Sequence, residues 1–303
     1  MHRISSPQLT IAAFLDALDG SYCSYSAFGE TGDCTLDICK DPVYPDNDPN
    51  AAAFGFPASG LYKGSRQCGV FKPTNVISIS YALFEYLLPA FYMQRQCNEW
   101  MKLGLQGVTV VAASGDAGVG QNFNCWGPQG NIFTPTYTST CPYILSVGAT
   151  EIYSPGAGQK LAERASSSFP SGGGFSNIFD QPSYQAAAVS KYLSTTSLPF
   201  GSYTQFVNMS NFDNVNGSFR RTGRAYPDVS AVGQNILVAV NGKWLNVNGT
   251  SASTPLWGGM ITLINEARLA AGKSTLGFIN PTLVGFTHRF HDECAKKLTL
   301  CCT

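Results

Sequence analysis

The stretch that most constrains the fold runs from Asn75 to Ser114, as "NVISISY", then "AFYMQRQCNEWMKLGLQG", then "VTVVAAS". The outer two are short apolar runs rich in β-branched residues, as strands buried on both faces require. The middle segment spaces its apolar residues at helical intervals and closes near Gly104 or Gly107. Strand, helix, strand in that order calls for two parallel strands joined by a crossover. Further strands are read in "YILSVGAT", "NILVAVNG" and "WLNV", and "STPLWGGMITLINEARLAAG" reads as a long helix ended by Gly272. The predicted class is α/β, with a mostly parallel sheet covered on both faces. Near the start, Ser6 as N-cap, Pro7 at the first helical position, and Ile11, Phe14, Leu15 and Leu18 predict one more helix.

Composition narrows the functional classes. Of 303 residues 44% are hydrophobic, enough for a full-sized core, and only 13% are charged, with 19 basic residues against 19 acidic ones. That balance excludes a basic nucleic-acid footprint and a polybasic membrane patch. The run "IAAFLDAL" is interrupted by Asp16 and falls short of the roughly 20 apolar residues that cross a bilayer, so no membrane span is expected. Ten cysteines without a C-x-x-C pair, with sequons at Asn208, Asn216 and Asn248, fit a disulfide-bearing secreted protein. The first residues lack a signal-peptide layout, which leads us to expect a missing upstream segment. Residues 20–74 are rich in Gly, Pro, Asp and Cys without a sustained period and are read as a long, disulfide-pinned insertion.

In parallel sheets, sites collect beyond the carboxyl ends of the strands. Two segments fall there, "SGDAG" after Ala113 and "NGTSAS" after Val247. The second has two readings: hydroxyl caps for the helix that follows, or a serine nucleophile where backbone N–H groups hold an oxyanion. The only histidines are His2, His288 and His291, at the extreme ends, which argues against a Ser-His-Asp triad. No G-x-S-x-G, S-x-x-K, Walker A, G-x-G-x-x-G or H-E-x-x-H run occurs. A serine can instead be activated by a carboxylate base in acid. Asp116 then has two readings as well. In a partly apolar cleft it would stay protonated and donate a hydrogen bond to a developing oxyanion, or it merely fills a Gly-flanked turn.

"VVAASGDAGVG", "PSGGGFSNIF", "GRAYPDVSA" and "VNGTSASTPLWGGMITLINEARLAAGKSTLGFINPTL", in this order, resemble the sedolisin family of serine-carboxyl peptidases, near its fungal-type tripeptidyl-peptidases. The resemblance implies a subtilisin-like three-layer α/β fold, acid-acting peptide hydrolysis, a secreted or acidic vacuolar or lysosomal location, and one calcium ion. It makes residues 1–303 one partial catalytic domain, truncated at both ends, with an aberrant tail over 286–303. By the same resemblance Ser251 is the nucleophile, Asp116 the oxyanion partner, and Ser171, Gly172, Gly173 and Gly174 line the substrate cleft. A flexible glycine turn is the other reading of that stretch. The partner implied is a peptide or protein substrate, and a monomer is expected. Asp228 of "GRAYPDVSA" is assigned no chemistry.

The chain also departs from the family. The catalytic Glu and its supporting Asp come in the family as E-x-x-x-D on one helix face, and no glutamate here is followed by Asp at that spacing. Without that base the chain is expected to be inactive by itself. A secreted, non-enzymatic pseudo-peptidase that binds peptides is the alternative. Asp33 and Asp37 have i, i+4 spacing but sit in the insertion, while Asp16 and Asp19 are expected to be solvated at a helix end. Of the calcium site only Asp292 is in place, too little for six or more oxygen ligands. Ala82 stands where the family has glycine. A Cys125–Cys141 bridge would brace the Asp116 turn.

Overall fold

The computed structural model describes residues 7–21, 69–120, 125–207 and 211–285. The chain divides into two compact units, Met1–Thr74 with Leu88–Glu99, and Asn75–Leu87 with Trp100–Thr303.

In the first unit, helix α1 (Pro7–Leu18) starts at the proline, whose fixed φ suits the first helical position. Ile11 and Leu15 are buried one turn apart. Asp16, expected at the solvated surface, is buried, because the chain returns there: Gly69 N–H donates to the Asp16 carbonyl and Phe71 N–H to that of Ala17. Asp19 Oδ1 accepts the N–H and hydroxyl of Ser21, each at 2.7 Å. Of the insertion read over 20–74, residues 22–68 lie outside the described residues, as do Asp33, Asp37 and the tail over 286–303. Helix α2 (Ala90–Leu105) runs from this unit into the second and buries Tyr92, Met93, Cys97, Trp100 and Leu103. Gly107, at φ +89°, lies in the left-handed region that ends it.

The second unit is built on a five-stranded sheet. Strands β1 (Val76–Ile79), β3 (Thr109–Ala113), β5 (Leu145–Tyr153) and β11 (Val229–Val232) pair in parallel in the order β1-β3-β5-β11. The registers pair Val76 with Thr109, Val111 with Leu145, and Val147 with Val229. Strand β6 (Ala162–Ala165) pairs antiparallel with the far end of β5. Strand β3 is buried at every residue, which explains its unbroken apolar run. Two-residue pairs β2 (Leu83–Phe84) with β4 (Thr136–Tyr137), and β8 (Ser202–Tyr203) with β9 (Phe219–Arg220), sit apart from this sheet, as does β7 (Gly174–Asp180) with β10 (Gly223–Tyr226).

The strands read in "NILVAVNG" and "WLNV" do form, as β12 (Ile236–Val240) and β13 (Lys243–Val247). They pair with each other as a separate antiparallel hairpin. Asn241 (φ +50°) and Gly242 (φ +74°) make the turn, the positive-φ pair that matches strand twist.

Among the described residues helix α3 (Ala186–Thr195) follows α2, the long helix α4 (Thr250–Ala270) comes after β13, and α5 (Asn280–Gly285) follows it. One face of α4 packs on the sheet: Ile261 shares a core with Val111, Leu145, Val147 and Ile279, with Trp257 against it. Trp257 Nε1 donates to the Ser230 carbonyl at 3.0 Å. Another face carries Leu256, Met260, Leu263 and Ile264, all exposed, Leu263 at 66%. Beneath the sheet the fully buried pair Arg224 and Asp228 is joined by Arg224 Nη2 at 2.6 Å. Asp228 also accepts from Ser146 N–H at 2.8 Å, Gln185 Nε2 at 3.0 Å and Asn280 Nδ2 at 3.2 Å. A buried carboxylate needs that many donors, so Asp228 is a structural anchor.

Candidate active site

Three chain segments of the second unit meet beyond the carboxyl ends of the parallel strands. Ser80 follows β1, Ser114 to Asp116 follow β3, and Gly249 to Ser251 open α4. Gly249 caps the helix from φ +144°, and no side-chain cap bond is made there. The hydroxyls therefore do not act as caps in the way one reading of "NGTSAS" supposed. Thr250 is buried, and its hydroxyl donates to Asp116 Oδ1 at 2.8 Å, while its backbone N–H donates to the same oxygen at 2.7 Å. Gly115 N–H in turn donates to Thr250 Oγ1 at 3.1 Å. A carboxylate thus holds the N–H-rich end of α4 from outside the helix, where the dipole favours negative charge.

Ser251 is exposed, and among the described residues its hydroxyl makes no hydrogen bond. Its carbonyl accepts the Ser80 hydroxyl at 2.8 Å, tying the first helical turn to the end of β1. Asp116 is exposed too, not enclosed in the partly apolar cleft expected for it, with the glycines Gly115 and Gly249 beside it. A Cβ on Gly249 would lie 3.1 Å from Asp116 Oδ2 and 3.6 Å from Ser251 N. The bare glycine keeps the space between those two groups open.

The stretch Ser171 to Gly174 runs alongside. Ser171 Oγ accepts from Ala149 N–H at 2.8 Å, Gly172 N–H donates to the Gly115 carbonyl at 2.6 Å, and Gly173 N–H donates to that of Gly118 at 3.2 Å. A Cβ on Gly172 would stand 2.1 Å from the Ser114 carbonyl oxygen. The close approach that Gly172 permits is therefore to the protein's own backbone.

One buried acid behind this stretch drew no functional reading from the sequence. Glu85 accepts the Ser176 hydroxyl and, at 2.7 Å, the Asn177 N–H, and Asn177 Oδ1 accepts the Tyr203 hydroxyl at 2.7 Å. Burial pushes the Glu85 carboxyl above its ordinary value, and the bonds from Ser176 and Asn177 with the charge of Arg220 offset this in part. Burial likewise raises the hydroxyl of Tyr226 to about 12. The available signal was a lone acid inside the apolar run "ALFEYLL".

Among the described residues no three of His, Cys, Asp or Glu gather where they could hold a metal ion. Asp292, the calcium ligand expected from the sequence, lies outside them. The described residues offer calcium no carboxylate cluster. Cys97, Cys125 and Cys141 are each disulfide-bonded. No described helix is long and apolar enough to cross a membrane.

The parallel sheet, with a serine at the start of the helix that crosses it, defines a subtilisin-like α/β protein. Residues 72–277 match the subtilase family. Tripeptidyl-peptidase sed1 of Aspergillus fumigatus is 45% identical over 285 residues, covering 92% of this chain and 41% of that protein. Aorsin of Aspergillus oryzae is 47% identical over 282 residues, 89% of this chain and 40% of aorsin. Tripeptidyl-peptidase 1 of Homo sapiens is 41% identical over 214 residues, 69% of this chain and 34% of that protein. Among solved structures, a Pseudomonas sedolisin complexed with two molecules of pseudo-iodotyrostatin aligns with 91% of this chain and 78% of its own, at TM-score 0.49 and 17% identity. The chain belongs to the subtilase family, in its sedolisin branch, near the fungal tripeptidyl-peptidases. It spans about two fifths of the length of the two fungal relatives.

Proposed function

We propose that the chain carries the nucleophile side of an acid-acting, serine-type peptidase site, with Ser251 as nucleophile and Asp116 as the oxyanion partner. The observation that supports this best is the junction of Asp116 with the start of α4: an exposed serine hydroxyl, with no hydrogen-bond partner among the described residues, stands at a helix N-terminus next to Thr250, which bonds the Asp116 carboxyl group. A substrate carbonyl attacked by Ser251 Oγ develops negative charge beside the Ser251 N–H, and Asp116 in its carboxylic-acid form supplies a second donor. Ser171 to Gly174 border the cleft as its wall, with the Gly172 and Gly173 N–H groups already bonded to the Gly115 and Gly118 carbonyls. The substrate is a peptide or protein, the working location an extracellular or acidic compartment, and the acting species a monomer.

No carboxylate reaches the Ser251 hydroxyl among the described residues, and the sequence holds no E-x-x-x-D pair. Proton abstraction from the serine then lacks its general base, a deficit on the order of 10² to 10⁴ in rate. The chain alone therefore hydrolyses peptides slowly or not at all, while its cleft still binds them. The test is hydrolysis of fluorogenic tripeptides from pH 3 to 7 by the full chain and by Ser251→Ala, after circular dichroism has confirmed folding. Acid activity that vanishes in the variant would assign the base to another carboxylate. A folded, silent protein that binds peptides would support the incomplete site, and one that neither cleaves nor binds would overturn the proposal.

A further inference from the structure

Resting on that reading of Ser251 and Asp116, the geometry points to Thr250 as the positioning residue that decides which oxygen of Asp116 carries the proton. Asp116 Oδ1 accepts two hydrogen bonds from one residue, the Thr250 N–H at 2.7 Å and its hydroxyl at 2.8 Å. An oxygen engaged as acceptor in two such bonds has no lone pair left for a proton in that plane, so protonation falls on Oδ2. Oδ2 is the oxygen next to the empty Cβ position of Gly249, on the side where Ser251 N also stands. A proton on Oδ2 can be donated to an oxyanion beside Ser251, whereas one on Oδ1 would face Thr250.

The direction of the Thr250 hydroxyl is itself fixed. Gly115 N–H donates to Thr250 Oγ1 at 3.1 Å, occupying it as acceptor and leaving the hydroxyl hydrogen for Asp116. Thr250 is buried, so water cannot substitute for either bond. Among the described residues no charged group pairs with Asp116, which leaves the Thr250 bonds as the asymmetry between its two oxygens. Thr250 touches no reacting atom and acts through Asp116 alone.

A tripeptide aldehyde and the matching tripeptide alcohol test this without requiring turnover. Ser251 Oγ adds to the aldehyde carbon, the C=O π bond becomes a C–O single bond, and the serine proton ends on the former carbonyl oxygen. The resulting hemiacetal carries its oxygen where the oxyanion would be, while the alcohol makes no adduct. Dissociation constants are measured at pH 4 by fluorescence for the wild type, Thr250→Val and Thr250→Ser. The wild type is expected to prefer the aldehyde by at least about 10²-fold. Thr250→Val should lose roughly 10-fold or more of that preference with the alcohol affinity unchanged, and Thr250→Ser, which keeps the hydroxyl, should recover it.

Equal weakening of both ligands in Thr250→Val would make the residue merely structural and overturn the inference. So would a folded Thr250→Ser protein that loses the preference, and this arm stands even if Thr250→Val does not fold. A wild type with no aldehyde preference would instead sink the reading of Ser251 as nucleophile.

Discussion

Replacing Gly172 by alanine tests how the two walls of the site are joined. The new Cβ would lie 2.1 Å from the Ser114 carbonyl oxygen, 2.6 Å from the Ser114 carbonyl carbon and 2.7 Å from the Gly115 oxygen. A carbon atom settles roughly 3.5 Å from a non-bonded neighbour, so the two backbones must part by about 1 Å or more. The Gly172 N–H···Gly115 bond, now 2.6 Å, would then stretch past the roughly 3.2 Å at which such a bond is effective. A broken bond at a buried position costs about 1–3 kcal/mol, and forcing backbone apart in a packed region about as much again. The smaller unfolded-state entropy of alanine offsets about 0.4–1 kcal/mol. We expect a net loss of about 2–5 kcal/mol, read as a lowered urea midpoint with an unchanged slope. The same variant should bind the tripeptide aldehyde more weakly, since Asp116 moves with Gly115. A Gly172→Ala protein within about 0.5 kcal/mol of wild type, with unaltered aldehyde affinity, would refute the reasoning.

Three further outcomes follow from the same structure. Glu85 has a folded-state value above its unfolded one, so its contribution is fully present below about pH 4.5 and is lost as pH rises through the raised value. Urea midpoints of the wild type should therefore fall from pH 4 toward neutrality, and Glu85→Gln should flatten that slope. Asp228→Ala leaves the Arg224 guanidinium buried without its partner and should destabilise by about 3–5 kcal/mol in the same measurement. Ser251→Ala should leave the urea midpoint within about 0.5 kcal/mol, because the hydroxyl is exposed and bonds to no described residue, yet abolish the aldehyde preference.

What the sequence made legible was whatever local physics determines. Strand β3 announces itself because burial at every residue leaves a nearly unbroken apolar run, β1 by its β-branched residues although Ser78 is exposed, and α4 because its buried positions recur every three to four residues. Strand β11 was read only as part of "GRAYPDVSA", since four residues holding Ser and Ala after a proline have no period of their own. Its place beside β5 comes from tertiary pairing. The hairpin β12–β13 carried its own signal, Asn241–Gly242 between two apolar runs, which separates it from the parallel sheet. At the site, Ser251 and Asp116 are named by the family resemblance alone, and the structure places Asp116 after β3 and Ser251 in the first turn of α4, with Asp116 Oδ1 bonded to the neighbouring Thr250. Their joining residue, Thr250, could not be singled out, because its role depends on an oxygen 134 positions away in sequence. Asp16 shows the converse error: helix-end logic placed it in water, and only the return of the chain at Gly69 buries it.

The outer stripe of α4 bears on the thermodynamics of the whole molecule. Leu256, Met260, Leu263 and Ile264, with Leu237, Trp244 and Leu245 on the hairpin, are already hydrated in the folded state. Unfolding exposes less new surface at these half-exposed positions than at buried ones, and each Å² of apolar surface not newly exposed withholds about 0.45 cal/mol/K from the heat-capacity increment. The chain should therefore unfold with a heat-capacity change below the usual 12–15 cal/mol/K per residue. Its stability curve should be correspondingly broad, varying little between cold and warm. Any molecule that sheathed that stripe in the native state alone would raise the melting temperature by mass action and restore the missing curvature.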